Sequence, residues 1–251
     1  MKETKLTAVI AARMNSSRFP GKTLEDLCGV PMLEFQINRI LKSKYVEKVI
    51  VITGRSPENN QLESWCRKKS IEIFRGSDED VLLRICQAVE NYSLEGFVEI
   101  LGDNPFVDPR IIDCCIEQYI KYGSDYVATL TNEYPESDPK LCKFPIGVRV
   151  QVLKANAIFK CSKLAKKQKY REHATSFIAE NPDMFKTTFL EAKNSFKRCC
   201  RPELTFAVNE QKNLELLNLI CLRMTTKYES LEHIIDIYDG LHNSAHLMGN
   251  S

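Results

Sequence analysis

An α/β architecture with a mostly parallel, helix-covered sheet follows from three features of this 251-residue chain. Short apolar segments at Leu6–Ala12, Val49–Thr53, Ile71–Phe74 and Phe97–Leu101 have the length and β-branching of buried strands. Longer stretches with apolar residues at helical spacing separate them, an alternation that belongs to βαβ units. A hydrophobic content of 43% can fill one large core, and no repeat or low-complexity tract divides residues 1–251 into separate units.

The first strand empties into Arg13-Met14-Asn15-Ser16-Ser17-Arg18-Phe19-Pro20-Gly21-Lys22. Guanidinium forks, an ammonium, hydroxyls and loop N–H groups are the donors that a polyphosphate needs. The loop has neither G-x-G-x-x-G nor G-x-x-x-x-G-K-[ST], so it is neither a dinucleotide turn nor a P-loop. Ala11, ending the strand, leaves room for a base against the backbone. Pro31 opens a helix whose apolar surface is Met32, Leu33, Phe35, Ile37, Ile40 and Leu41. A second helix is predicted over about 59–69. A third, over about 78–92, is expected to take Ser77 as its cap. The strand Phe97–Leu101 runs straight into Gly102-Asp103-Asn104-Pro105, which puts Asp103 at a carboxyl strand end, where open α/β sheets bind ligands. Asp108, before Pro109, reads as the N-cap of the next helix.

Past Tyr134 the alternation lapses. A loop over Glu133–Lys140 leads to a strand over Pro145–Leu153 and then to a basic helix with Lys163, Lys166, Lys167, Lys169 and Arg171, read as a solvated face. Along the strand, period two sets Val148, Val150 and Val152 on one face and Arg149 with Gln151 on the other.

Composition narrows the function. With 35 basic and 33 acidic residues the net charge is +2, so no global field marks a nucleic-acid binder. Met1–Thr7 is charged, and no apolar run approaches the roughly 20 residues that span a bilayer, so a cytoplasmic protein without a membrane partner is expected. Ten cysteines without a C-x-x-C pair are expected to be reduced, with the adjacent pairs Cys114–Cys115 and Cys199–Cys200 incidental. His242 and His246 lie in what reads as a polar C-terminal tail without a supporting carboxylate, so no zinc site is expected.

The run Ala12, Arg13, Ser16, Arg18, Pro20, Gly21, Lys22, followed by Gly29, Pro31 and Met32, resembles the opening signature of the sugar-activating cytidylyltransferases, A-R-x-x-S-x-R-x-P-G-K then G-x-P-[ML]. The blocks Arg75–Leu82, Gly102–Pro109 and Arg171–His173 follow in that family's order. The chain looks closest to the spore-coat polysaccharide SpsF-like branch, which is similar to the CMP-Kdo and CMP-sialate synthetases. The resemblance implies the nucleotide-diphospho-sugar transferase fold (GT-A-like, Rossmann-like), with residues 134–194 as an inserted lid and dimerisation region. It also implies CTP or another NTP, Mg²⁺, an acidic or unusual sugar as acceptor, pyrophosphate as product and a homodimer.

Residue by residue, it assigns the nucleotide to Ala11, Ala12, Arg13, Ser16, Ser17, Arg18, Lys22, Arg75, Ser77 and Asp103. Catalysis falls to Arg13, Lys22 and Asp103, and the acceptor to Arg149, Gln151, Arg171, Glu172 and His173. Asp103 is the expected metal ligand. Asn209 stands where relatives carry a second metal-binding Asp, and Arg149 and Gln151 replace carboxylates. A buried Arg149 needs an anionic partner, either Glu172 or a carboxylate or phosphate of the substrate; with neither, it would have to reach solvent. Three readings stay open: an active nucleotidyltransferase, a nucleotide-binding homologue with weakened turnover, and a glycosyltransferase-like enzyme using a sugar nucleotide.

Overall fold

A computed structural model describes residues 5–133 and 140–248, with the side chains of 244–248 outside the description. Most of the expected 133–140 loop therefore lies outside the described residues. The chain runs β1 (Leu6–Ala11), β2 (Asp26–Leu27), β3 (Val30–Pro31), α1 (Met32–Ile40), β4 (Val46–Gly54), α2 (Asn60–Lys68), β5 (Glu72–Gly76), α3 (Val81–Asn91), β6 (Gly96–Leu101), α4 (Pro109–Tyr122) and β7 (Tyr126–Thr129). It continues with β8 (Gln151–Lys154), α5 (Ala155–Leu164), α6 (Gln168–Glu172), α7 (Ser176–Ala179), β9 (Thr187–Leu190), α8 (Gln211–Cys221) and α9 (Leu231–Met248).

Seven strands form one sheet in the order β5-β4-β1-β6-β8-β7-β9. β8 runs antiparallel to both its neighbours, and the other pairings are parallel. The chain leaves β1 towards β4 and β5, then returns to β6 on the opposite side. The carboxyl ends of β1 and β6 are therefore the topological switch point, the crevice where such sheets take ligands. Alternation along β1 explains the two-sided core: Ala8 and Ile10 pack with α1 and α4, while Val9 faces the layer of α3 and α5.

Local sequence accounts for most boundaries. Asp108 caps α4 as expected, its carboxylate accepting from the Arg110 N–H at 2.8 Å with Pro109 at the first helical position. α3 starts later than predicted: its cap is Asp80, which accepts from the Leu83 N–H at 2.8 Å, while Ser77 Oγ accepts from the Asp80 N–H at 3.2 Å. The strand expected at Pro145–Leu153 shrinks to β8, because Gly147 turns with φ +93 and a Cβ there would lie 2.1 Å from Ala207 N. Residues 140–194 do not form a separate layer, since β8 sits inside the sheet and β9 closes its edge. The single basic helix is two, α5 and α6, joined by exposed Lys166 and Lys167. The expected polar tail is α9, where the His242 ring stacks on Tyr238 with centroids 4.0 Å apart.

One cysteine expectation is corrected: Cys28, on the turn between β2 and β3, is disulfide-bonded to Cys221 at the end of α8. The two are 193 residues apart, and the turn residue has φ +57, so local spacing carried no hint of the pairing. The other eight cysteines are free thiols.

Candidate active site

The phosphate-type loop and the Gly102-Asp103 turn meet because their strands are neighbours, with Ala11 in register with Leu101. Gly102 N–H donates to Ala11 O at 3.1 Å, and a Cβ on Gly102 would approach that oxygen to 2.7 Å. Only glycine lets the two strand ends touch, and the contact sets Asp103 beside the loop. Gln36, fully buried on α1, clamps the same turn through Nε2, which donates to Leu101 O at 2.7 Å and Asn104 O at 2.9 Å. Val208 N–H donates to Asp103 O at 2.9 Å and brings Asn209 to the site.

Lys22 joins these pieces. Its ammonium donates to Val208 O at 2.5 Å and lies 3.4 Å from Asp103 Oδ2, with side-chain exposures of 12% for Lys22 and 28% for Asp103. Burial lowers the pKa of Lys22 below the ordinary lysine value; Asp103 opposes that shift, and Arg18 and Arg13 add to it. Arg18 reaches across 191 residues to donate to Asn209 Oδ1 at 2.9 Å. Arg13, Ser17 and Arg18 are exposed and Ser16 is half-buried on the same loop, while Ala12 is buried behind it. Lys22 thus meets the one carboxylate at the switch point, and Arg13 and Arg18 on the same loop add positive charge beside it, an arrangement suited to a polyanion.

Other expected site residues lie elsewhere. Arg75 spends all five guanidinium donors inside the protein, on Gly54 O, Arg55 O, Ser56 O, Asn60 and Glu63. It shapes the β4–α2 connection and has no donor left for a nucleotide. Ser77 is occupied by the turn into α3. Arg171 is bound to Asp80, its Nη2 2.6 Å from Oδ2, so it ties α6 to the cap of α3. Gln151 is 1% exposed and cannot touch an acceptor directly. Glu172 and His173 are exposed, and Glu172 bonds to Gln168.

Arg149 does not pair with Glu172. Its Nη2 donates to Gln151 Oε1 at 2.9 Å and Thr175 Oγ1 at 3.1 Å, and Nη1 lies 3.8 Å from Glu133. Its backbone N–H meets Asn104 at 3.2 Å in the amide orientation that also lets Asn104 donate to Asp103. The backbone of Arg149 therefore lies against the turn that carries Asp103. Three polar residues escaped sequence reasoning: Gln36, Glu99 and Arg84. Each interrupts an apolar face, which is the signal that was present. Arg84, 4% exposed, donates to Ser77 O at 2.6 Å and feels the positive charge of Arg13.

The cytidylyltransferase family model matches residues 7–239, nearly the whole chain. This chain belongs to the cytidylyltransferase family. It is 30% identical to the spore coat polysaccharide biosynthesis protein SpsF of Bacillus subtilis over 217 residues, 84% of each chain. Among solved structures, a cytidylyltransferase from Leptospira borgpetersenii superposes with a TM-score of 0.82 at 21% identity, covering 99% of this chain and 98% of the other. A CMP:2-keto-3-deoxy-manno-octonic acid synthetase complexed with CTP gives 0.64 at 17% identity over 88% of this chain and all of that one. This cytidylyltransferase has the nucleotide-diphospho-sugar transferase fold expected from its sequence and is a nucleotidyltransferase.

Proposed function

We propose that this cytidylyltransferase transfers CMP from CTP to a hydroxyl of an acidic sugar, releasing pyrophosphate for surface-polysaccharide synthesis. The observation that carries the reading is Lys22 held between Asp103 and Val208 O, with Arg13 and Arg18 on the same loop. The acceptor hydroxyl oxygen attacks the α-phosphorus and loses its proton to solvent, and the bond to the bridging oxygen of the leaving pyrophosphate breaks. Arg13, Ser16, Ser17, Arg18 and Lys22 hold the triphosphate, and Lys22 and Arg13 stabilise charge on the phosphoryl oxygens. The base lies over Ala11 and Ala12. Arg149 meets the acid group of the acceptor.

Mg²⁺ is the proposed cofactor. Among the described residues no three His, Cys, Asp or Glu side chains form a ready-made metal cluster. Mg²⁺ brought by a nucleotide needs only one or two protein oxygens besides phosphate and water, so Asp103, with the amide oxygen of Asn209, fits it. When bound, the ion neutralises phosphate charge. A cytoplasmic homodimer is proposed from the family resemblance and from the need for CTP; among the described residues no helix is long and apolar enough to cross a membrane.

The second reading, weakened turnover, has one specific observation in its favour: position 209 is an amide already bonded to Arg18. A pyrophosphate-release screen with CTP and a panel of sugar acids separates the two. The first reading expects Mg²⁺-dependent release that Asp103→Asn abolishes. CTP binding without release from any acceptor establishes the second, and full activity in Asp103→Asn moves the metal elsewhere.

A further inference from the structure

Glu99 is the one acidic residue of the strand Gly96–Leu101, and its side chain is buried at 3% exposure four residues before Asp103. We propose that Glu99 is a positioning residue for acceptor specificity: through the Gln151 amide it fixes the aim of Arg149 and sets how much of that positive charge an acidic acceptor meets. The inference rests on the reading of Arg149 as the acceptor's anion contact.

The relay is continuous from Glu99 to Arg149. Glu99 and Gln151 are paired across β6 and β8, and Gln151 Nε2 donates to Glu99 Oε2 at 2.9 Å. Gln151 Oε1 accepts from Arg149 Nη2 at 2.9 Å, Tyr126 OH at 2.6 Å and Thr175 Oγ1 at 2.6 Å. Three donors surround the amide oxygen and a carboxylate faces the amide nitrogen. The reversed amide would oppose donor to donor, so the orientation is fixed. Thr175 also accepts from Arg149, which leaves the guanidinium held from two sides.

Gln151 keeps the carboxylate out of direct contact with the guanidinium. Burial raises the Glu99 pKa to about 7, with Arg149 pulling weakly the other way. Among the described residues, the titratable groups nearby include Tyr126 on β7, which meets it through Gln151, Cys161 on α5, whose thiol burial pushes up to about 12, and Glu133, paired with Arg149. Near neutral pH, Glu99 is thus placed to change charge. Protonated, it leaves the field of Arg149 whole. Ionised, it offsets that field and repels an incoming carboxylate.

The test is acceptor KM at saturating CTP between pH 6 and pH 8, with 2-keto-3-deoxy-manno-octonic acid and a panel of other sugar acids as probes. In the wild type the acceptor KM should rise on the order of tenfold across that range. In Glu99→Gln it should stay flat at the low value, with kcat and the KM for CTP preserved. Arg149→Gln should raise acceptor KM at both ends. A Glu99→Gln enzyme that keeps the wild-type rise overturns the role of Glu99 while the Arg149 reading stands. An unaltered acceptor KM in Arg149→Gln removes both. No release with any sugar acid removes the proposed function itself. Difference infrared spectra give a second readout that needs only a folded wild type and a bound sugar acid. A protonated-carboxyl band should disappear between pH 6 and pH 8, and its midpoint should move upward when the acid binds, by reciprocity of linked equilibria. A band whose midpoint ignores the ligand also overturns the proposal.

Discussion

Lys22 is held by a carboxylate and a carbonyl, yet its pKa lies below the usual lysine value because burial and two neighbouring guanidinium groups outweigh that support. A triphosphate arriving among Lys22, Arg13 and Arg18 relieves the crowding of like charges, so affinity and electrostatic relief come from the same contacts. Lys22→Ala and Arg13→Ala are each expected to weaken CTP binding by tenfold to a hundredfold, about 1.5–3 kcal/mol per charge-assisted contact, as read by isothermal titration. Unchanged affinity in both would detach this loop from the nucleotide. Glu99 makes a separate prediction about stability. Its pKa rises from the ordinary glutamate value of 4.5 to about 7 in the fold, so the folded protein binds the proton more tightly. Below pH 4.5 there is no penalty. As pH rises through the interval the contribution is lost, and above pH 7 the buried carboxylate costs about 3 kcal/mol. Melting curves should show Glu99→Gln more stable than wild type at pH 8, with the gain shrinking towards pH 5. A gain that does not vary with pH would mean the carboxyl does not titrate there.

At the scale of elements, the site depends on two places where backbone meets backbone. Gly102→Ala would push a methyl towards Ala11 O at 2.7 Å and part β1 from β6. We expect a loss of about 1–3 kcal/mol in a thermal melt, with turnover falling further than stability because Asp103 shifts with the turn. Turnover preserved alongside an unaltered melting temperature would show that the strand ends need not touch. Arg39 illustrates a different dependence. Fully buried on α1, it donates to Val107 O, Lys227 O and Glu229 O at 2.8–2.9 Å, binding α1 to the entrance of α4 and the approach to α9. Arg39→Met should leave three carbonyls short of a donor and cost about 3 kcal/mol or more, measured by urea titration. The strands β1, β4, β5 and β6, the helices α1 and α2 and the Asp108 cap were readable because each is written in consecutive residues. Arg75 and Arg171 were not, because their partners lie in other segments and a motif position does not say which way a side chain turns.

For the whole molecule, the sequence made the parallel half of the sheet legible but hid the reversed β8, because one strand face reads the same in either direction. Cys28 and Cys221 were equally hidden: only the folded chain brings the turn after Lys22 against the helix that follows Asn209. The proposed homodimer predicts twice the 28.8 kDa chain mass by sedimentation, and a sharp monomer boundary at micromolar concentration would refute it. Between residues 28 and 221 the polypeptide is a closed covalent ring, with strand β1 and helix α9 as its two free arms. Trypsin cutting at exposed Lys166 or Lys167 would open that ring without dividing the molecule. On a gel the nicked protein should run as one species until a thiol reductant separates it into two, so the cross-link makes this enzyme's survival after a first proteolytic cut a matter of the redox state around it.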